Sequence, residues 1–186
     1  EVEAELRRMR ELFLRWNPST TMKCAIFEEN GNRHDMQRVL GHVTLQNAVR
    51  RMGDFVLTSC AANALQPYRQ NDNGWDQGQV FFTPSQVWGM PPYYAQQMAA
   101  AHHRPLTVGC GVEGADGVLD VTATRSREAG SVVLHIANTG AEPLRVGRGE
   151  HPRRAAPHRP RRAGTAGLGC ADCRHSALLL YDRGAG

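Results

Sequence analysis

Apolar residues recur at spacings of three and four along the start of the chain. Val2, Leu6, Met9, Phe13 and Trp16 are separated by charged positions, which is the pattern of an amphipathic helix over residues 1–16. Asn17-Pro18-Ser19 ends it. Residues 22–28 (MKCAIFE) are then expected to form a short buried strand, and 29–35 (ENGNRHD) a polar loop. A second amphipathic helix is predicted over 36–52, with Val39, Val43, Ala48 and Met52 near one side, stopped by Gly53-Asp54. Residues 55–62 (FVLTSCAA) form a second apolar strand. Helix, strand, helix and strand joined by short links predict a parallel sheet with helices packed outside, and the linking helix is long enough for a right-handed crossover. A polar loop from Asn63 to about Ser85 follows, of a length that in compact domains usually serves function. Pro91-Pro92 opens a short helix.

The period changes at Arg104-Pro105. LTVGCGVEG, GVLDVTATRS, SVVLHIANTG and EPLRVG alternate apolar and polar residues and are divided by turn formers such as Gly114-Ala115-Asp116-Gly117. They predict antiparallel strands with one buried face, as in a sandwich, and a domain boundary near 104. Alternation stops at Gly147. Residues 148–175 are mostly Arg, Ala, Gly, Pro and His, a composition that cannot bury enough apolar area to offset chain entropy. A disordered basic tail over 148–186 is expected, with out-of-frame translation in place of the last strands as its origin. The helical pattern already under way at Glu1, without an initiating Met, is expected of a chain cut from a larger protein.

Charge sharpens this division. The net charge is +4 over 186 residues, but residues 1–147 hold thirteen Arg and one Lys against fifteen acids, whereas 148–186 hold eight Arg against three. The excess lies wholly in the tail, which has one aromatic residue, Tyr181, and no Lys. A nucleic-acid groove needs cations on a folded surface beside stacking rings, so this partner is not expected. No apolar stretch approaches the ~20 residues that span a bilayer, so no membrane partner is expected. Five cysteines, an odd number, make no disulfide framework, and Cys24 and Cys60 sit in apolar runs as small hydrophobes. Cys170 and Cys173 form a lone CxxC, half a zinc site at most; His34, His102 and His103 lack metal spacing and are expected at the surface. No metal and no cofactor are expected.

The residues with chemistry are Glu28 and Glu29, adjacent carboxylates at the C-terminal end of a buried strand. That end is where barrels of alternating strands and helices place their active sites. A carboxylate there can attack an anomeric carbon, and since neighbouring strand residues face opposite ways only one of the two can do so. The plainer alternative is a pair of solvated acids at a strand end.

MKCAIFEENG resembles the segment around the nucleophile in α-L-arabinofuranosidases of glycoside hydrolase family 51, a short apolar strand ending in Glu, with Asn two residues on. Glu28 falls at the nucleophile and Asn30 at the Asn; Glu29 stands where an aromatic is frequent. GDFVLTSCAANALQP is similar to the eighth barrel strand of that family. NDNGWDQGQVFFTPSQVWGMPPYYAQQM is similar to its passage from barrel to β-sandwich, with Trp75, Pro84, Pro92, Tyr93 and Tyr94 in order. The resemblance covers about residues 1–147 and rests on several segments rather than one short motif.

The resemblance implies that 1–103 are the last β/α units of a (β/α)8 barrel and that 104–147 are a partial antiparallel β-sandwich. It implies retaining hydrolysis of terminal non-reducing α-L-arabinofuranosyl residues. Glu28 is then the nucleophile, and Asn30, Asn63, Trp75 and Gln77 contact the substrate, an arabinose-containing polysaccharide or oligosaccharide. The family's acid/base Glu lies in an Asn-Glu pair on an earlier strand; this chain has no such pair, so it is expected to be inactive alone. A homo-oligomer of a full-length enzyme is compatible with the resemblance. The bland alternatives stay open: Trp75 as a loop anchor, Asn63 as a cap or turn residue, and Trp88, Tyr93 and Tyr94 as domain packing. Two other readings of the chain compete. One is a non-catalytic carbohydrate-binding or domain-packing β module, the other a nucleic-acid binder using the Arg tail.

Overall fold

The computed structural model describes residues 2–31, 33–70, 76–115, 117–128, 131–150, 166–170 and 176–181. They form two compact units, Glu1–Ala100 and Ala101–Gly186.

The first unit begins with α1 (Val2–Trp16), β1 (Cys24–Glu29), α2 (Met36–Arg51) and β2 (Val56–Ala61). β1 and β2 pair in parallel, with Cys24 opposite Val56 and Glu29 opposite Ala61, and the register is irregular between Ile26 and Glu29. Asp35 caps α2, its Oδ1 accepting from the backbone N–H of Gln37 (3.1 Å) and Arg38 (3.3 Å). The expected apolar side of α2 is buried at Val39, Val43, Ala48 and Met52. Leu6, Met52, Phe55 and Val56 form the core of this part, with Phe13, Cys24 and Ile26 packed on it.

α1 buries less than its period implies: Val2, Met9 and Trp16 are exposed, and Leu6 is its buried residue. Cys60, expected to act as a small core hydrophobe, is exposed. β1 and β2 are the whole of their sheet among the described residues, and Phe27 and Leu57 stand 80% and 70% exposed. Parallel sheets are ordinarily covered on both faces, so this pair has one packed face and one bare one. No barrel closes among the described residues.

The predicted long loop contains structure. β3 (Leu65–Pro67), β4 (Val80–Phe82) and β5 (Val87–Gly89) make a three-stranded sheet, β3 parallel and β5 antiparallel to the central β4. Its buried residues are Gln66 and Phe81, so burial rather than a long apolar run defines it. α3 (Pro91–Ala101) follows.

The second unit holds β6 (Leu106–Val108), β7 (Cys110–Glu113), β8 (Leu119–Arg125), β9 (Val132–Asn138), β10 (Val146–Glu150), β11 (Ala166–Cys170) and β12 (Ser176–Tyr181). They lie in two sheets, β12-β9-β8-β6 and β10-β11-β7. Leu119, Val121, Ala123, Val132, Leu134 and Ile136 form the core, with Val108, Cys110, Val112 and Val146 against it, so both sheets feed one apolar cluster.

Two expectations are corrected here. Among the described residues the tail beyond 147 is not devoid of structure: β10 runs to Glu150, β11 pairs with β7, and β12, itself an apolar run past the Arg- and Pro-rich stretch, pairs with β9. Within 104–147 the pairs β6–β8 and β8–β9 are antiparallel, and the parallel pairs β10–β11 and β9–β12 each involve a tail strand. β9 is buried along its whole length rather than on one face.

Candidate functional site

β1 ends in the two adjacent carboxylates, and the packing separates them. Glu29 is 7% exposed and faces α2, its Oε1 3.3 Å from His42 Nδ1. Glu28, next to it in the strand, is exposed and has no ion pair or hydrogen bond among the described residues. Cys24 and Ile26, of the same parity as Glu28, pack on the core, so the register irregularity between Ile26 and Glu29 breaks the simple alternation where the two glutamates part.

Glu29 belongs to a buried chain. His42 Nε2 accepts from Arg38 Nε at 2.9 Å, which places the imidazole proton on Nδ1, toward Glu29. Arg38, 5% exposed, donates further to three backbone carbonyls: Arg33 at 3.2 Å, Ala62 at 2.8 Å, and Gln77. Burial pushes its guanidinium below the ordinary value, and the Glu29 carboxylate opposes that shift. One arginine thus ties together the loop after β1, the end of β2 and the segment before β4. Glu29 Oε2 is buried and without a partner among the described residues.

The rim around this chain carries most of the sequence-predicted site. Gln77, fully buried, donates from Nε2 to Asn30 Oδ1 at 3.1 Å, and its Oε1 is buried without a partner among the described residues. Asn30 is exposed. Asn63 follows a cis peptide at the end of β2 and accepts through its backbone carbonyl from Gln79 N–H at 3.0 Å, a fastening role for its main chain. Gln66 Oε1 accepts from the backbone N–H of Gln77 (3.2 Å) and Gly78 (2.7 Å). Glu28, Asn30, Asn63 and Gln77 therefore share the C-terminal end of the parallel pair. Trp75 lies outside the described residues.

Sequence reasoning missed Arg38, His42 and Gln66. The available signal was the spacing of four between Arg38 and His42, which sets both beside the buried Val39 and Val43. His34, expected at the surface, is instead half-buried, with Nε2 2.9 Å from Asp76 Oδ1 and its ring edge-on to Phe81. No cluster of three His, Cys, Asp or Glu able to hold a metal occurs among the described residues. No helix among them is long and apolar enough to cross a membrane.

The arrangement has the parts for nucleophilic chemistry on an electrophilic carbon. It offers an exposed carboxylate at a strand end, a neighbouring carboxylate withdrawn into a buried chain, and the exposed Asn30 amide, which can bond a hydroxyl. No family model, curated protein or solved structure matches the chain.

Proposed function

We propose that the chain carries the nucleophile half of a retaining α-L-arabinofuranosidase. In this reading the first unit is the last two β/α units of a (β/α)8 barrel and the second a β-sandwich. The observation that carries the proposal is the separation of the two carboxylates. Glu29 is turned into the helix layer and held by His42, while Glu28 is exposed near the end of the strand, two residues before the Asn30 that accepts from Gln77.

Glu28 attacks C1 of the arabinofuranosyl unit. An ester bond forms from its oxygen to C1, and the bond from C1 to the leaving oxygen breaks. A second carboxyl protonates that oxygen and then takes a proton from the water that cleaves the ester, which requires the pair to stand about 5–5.5 Å apart. The sequence has no Asn-Glu pair to take that second role, so ordinary aryl arabinofuranosides are not turned over by this chain alone.

The test uses a substrate that needs no proton donor. Incubation with dinitrophenyl 2-deoxy-2-fluoro-α-L-arabinofuranoside leaves a glycosyl ester on the peptide holding Glu28, read by mass spectrometry, and none in Glu28→Gln. An adduct on Glu29, or none on a chain that is folded, overturns the proposal. The latter result together with retained sugar binding favours the non-catalytic module.

A further inference from the structure

Between β3, β4 and β5 the first unit holds a cavity of about 340 Å³, at the small end of ligand pockets. Tyr68, Phe81, Trp88, Arg69, Asp76 and His34 line it, and Glu28 does not. We propose that it is a binding subsite for one neutral sugar ring of a glycan. The cavity is an observation in its own right; the choice of a glycan as its occupant rests on the glycosidase reading.

Its apolar wall is a corner of rings. Phe81, 6% exposed, stacks on Trp88 with centroids 6.2 Å apart and planes 19° apart. Tyr68, 49% exposed, meets Trp88 edge to face at 5.3 Å and 69°. A core made only to exclude water would bury Tyr68 as it buries Phe81. Arg69 lies over the Tyr68 ring, 5.2 Å from its centroid, held there by a left-handed backbone (φ 64°) that residues other than glycine seldom adopt. Arg69 thereby covers one face of Tyr68, and the half-buried Trp88 is left to stack on a ligand.

The polar wall decides the ligand's charge. Asp76 and Arg69 contribute one charge of each sign, so the cavity selects neither a cation nor an anion. A quaternary ammonium would suit the rings but would face the guanidinium; a phosphate would face the carboxylate. A ring with an apolar C–H face and hydroxyls at its edge satisfies the whole lining: carboxylate and amide oxygens accept, and the guanidinium donates. Unmet capacity is present as well. Neither ring nitrogen of His34 has an aligned hydrogen-bond partner among the described residues, although Nε2 lies close to Asp76.

The subsite is joined to the rim. Gln66 lines the cavity and accepts from Gln77 N–H, and the Gln77 side chain donates to Asn30.

The test titrates the full chain with arabinotriose, xylotriose and tetramethylammonium, following the indole N–H signals by NMR; the Trp88 signal is the one missing from Trp88→Leu. A saturable shift of the Trp88 indole with one of the two trisaccharides and none with the cation is expected. Affinity should fall about tenfold in Trp88→Leu and in Tyr68→Ala. Tyr68→Ala removes a largely exposed ring and serves if Trp88→Leu does not fold. No Trp88 response to either sugar, a response to the cation alone, or sugar binding indifferent to both aromatic variants overturns the subsite. Failure of the Glu28 label with binding at Trp88 intact refutes the enzyme reading and leaves the subsite standing.

Discussion

Replacing Arg38 by Met tests whether the buried chain holds the rim together. Methionine fills much of the volume but removes every donor. Four hydrogen bonds are lost, to His42 and to the carbonyls of Arg33, Ala62 and Gln77. Glu29 keeps its position at 7% exposure but loses the cation nearby. Breaking a buried pair by removing one partner typically costs about 3–5 kcal/mol, because the other charge is left uncompensated. Bonds from a charged donor are worth roughly 1.5–3 kcal/mol each, but they do not add here, since freed carbonyls at the rim regain water. We therefore expect about 3–5 kcal/mol, a large share of the roughly 5–15 kcal/mol of a whole domain.

Urea unfolding followed by tryptophan fluorescence isolates the relevant part, because Trp16, Trp75 and Trp88 all precede residue 101. The double variant Arg38→Met with Glu29→Gln removes both charges together. It should be more stable than the sum of the single losses by roughly 1–3 kcal/mol, the coupling of groups in one network. A loss below about 1 kcal/mol for Arg38→Met, or strict additivity in the double variant, refutes the reasoning.

Two further outcomes follow from local geometry. A Cβ at Gly78 would stand 2.4 Å from Gln66 Cβ, an atom close to backbone that cannot swing away, so Gly78→Ala should cost about 1–3 kcal/mol; a urea midpoint equal to the parent's would contradict this. Acid should weaken the first unit. At Asp35 the hydrogen bond from Arg33 holds the carboxyl below its usual 3.8; at Glu3 burial pushes up, but bonds from Arg7 and Arg51 outweigh it, and the carboxyl ends below 4.5. As pH falls through this range the unfolded chain takes up protons first. The contribution is thus complete above the unfolded values, is lost as pH drops toward the folded ones, and is gone below both. Urea midpoints measured from neutral pH down to about 3 should fall below about 5, and less steeply in Asp35→Asn, which keeps the cap without the charge; an unchanged slope in that variant would count against the assignment.

Much of the candidate site was legible because position along a strand is a local matter. That Glu28 ends an apolar run, and that Asn30 and Asn63 follow strand ends, is visible in the order of residues. Which of two adjacent glutamates stays free was not, because it depends on His42 reaching Glu29 from α2 across an irregular register. The weight carried by Arg38 was hidden for a similar reason: its acceptors at Ala62 and Gln77 lie 24 and 39 residues away. The aromatic corner was obscured in another way, since Tyr68, Phe81 and Trp88 come from three short strands inside what looked like one polar loop.

From the chain alone came the helices α1, α2 and α3, the strands β1 and β2 with their parallel pairing, and the change to β structure past residue 104. All rest on periodicity and stop signals that act over a few residues. Tertiary structure decided the rest: that Val2, Met9 and Trp16 of an amphipathic helix remain exposed, that the Gly- and Ala-rich β11 pairs with β7 and β12 with β9, and that Glu29 is withdrawn while Glu28 is not. These outcomes turn on which distant surface or edge is there to pair with, and no local pattern encodes that.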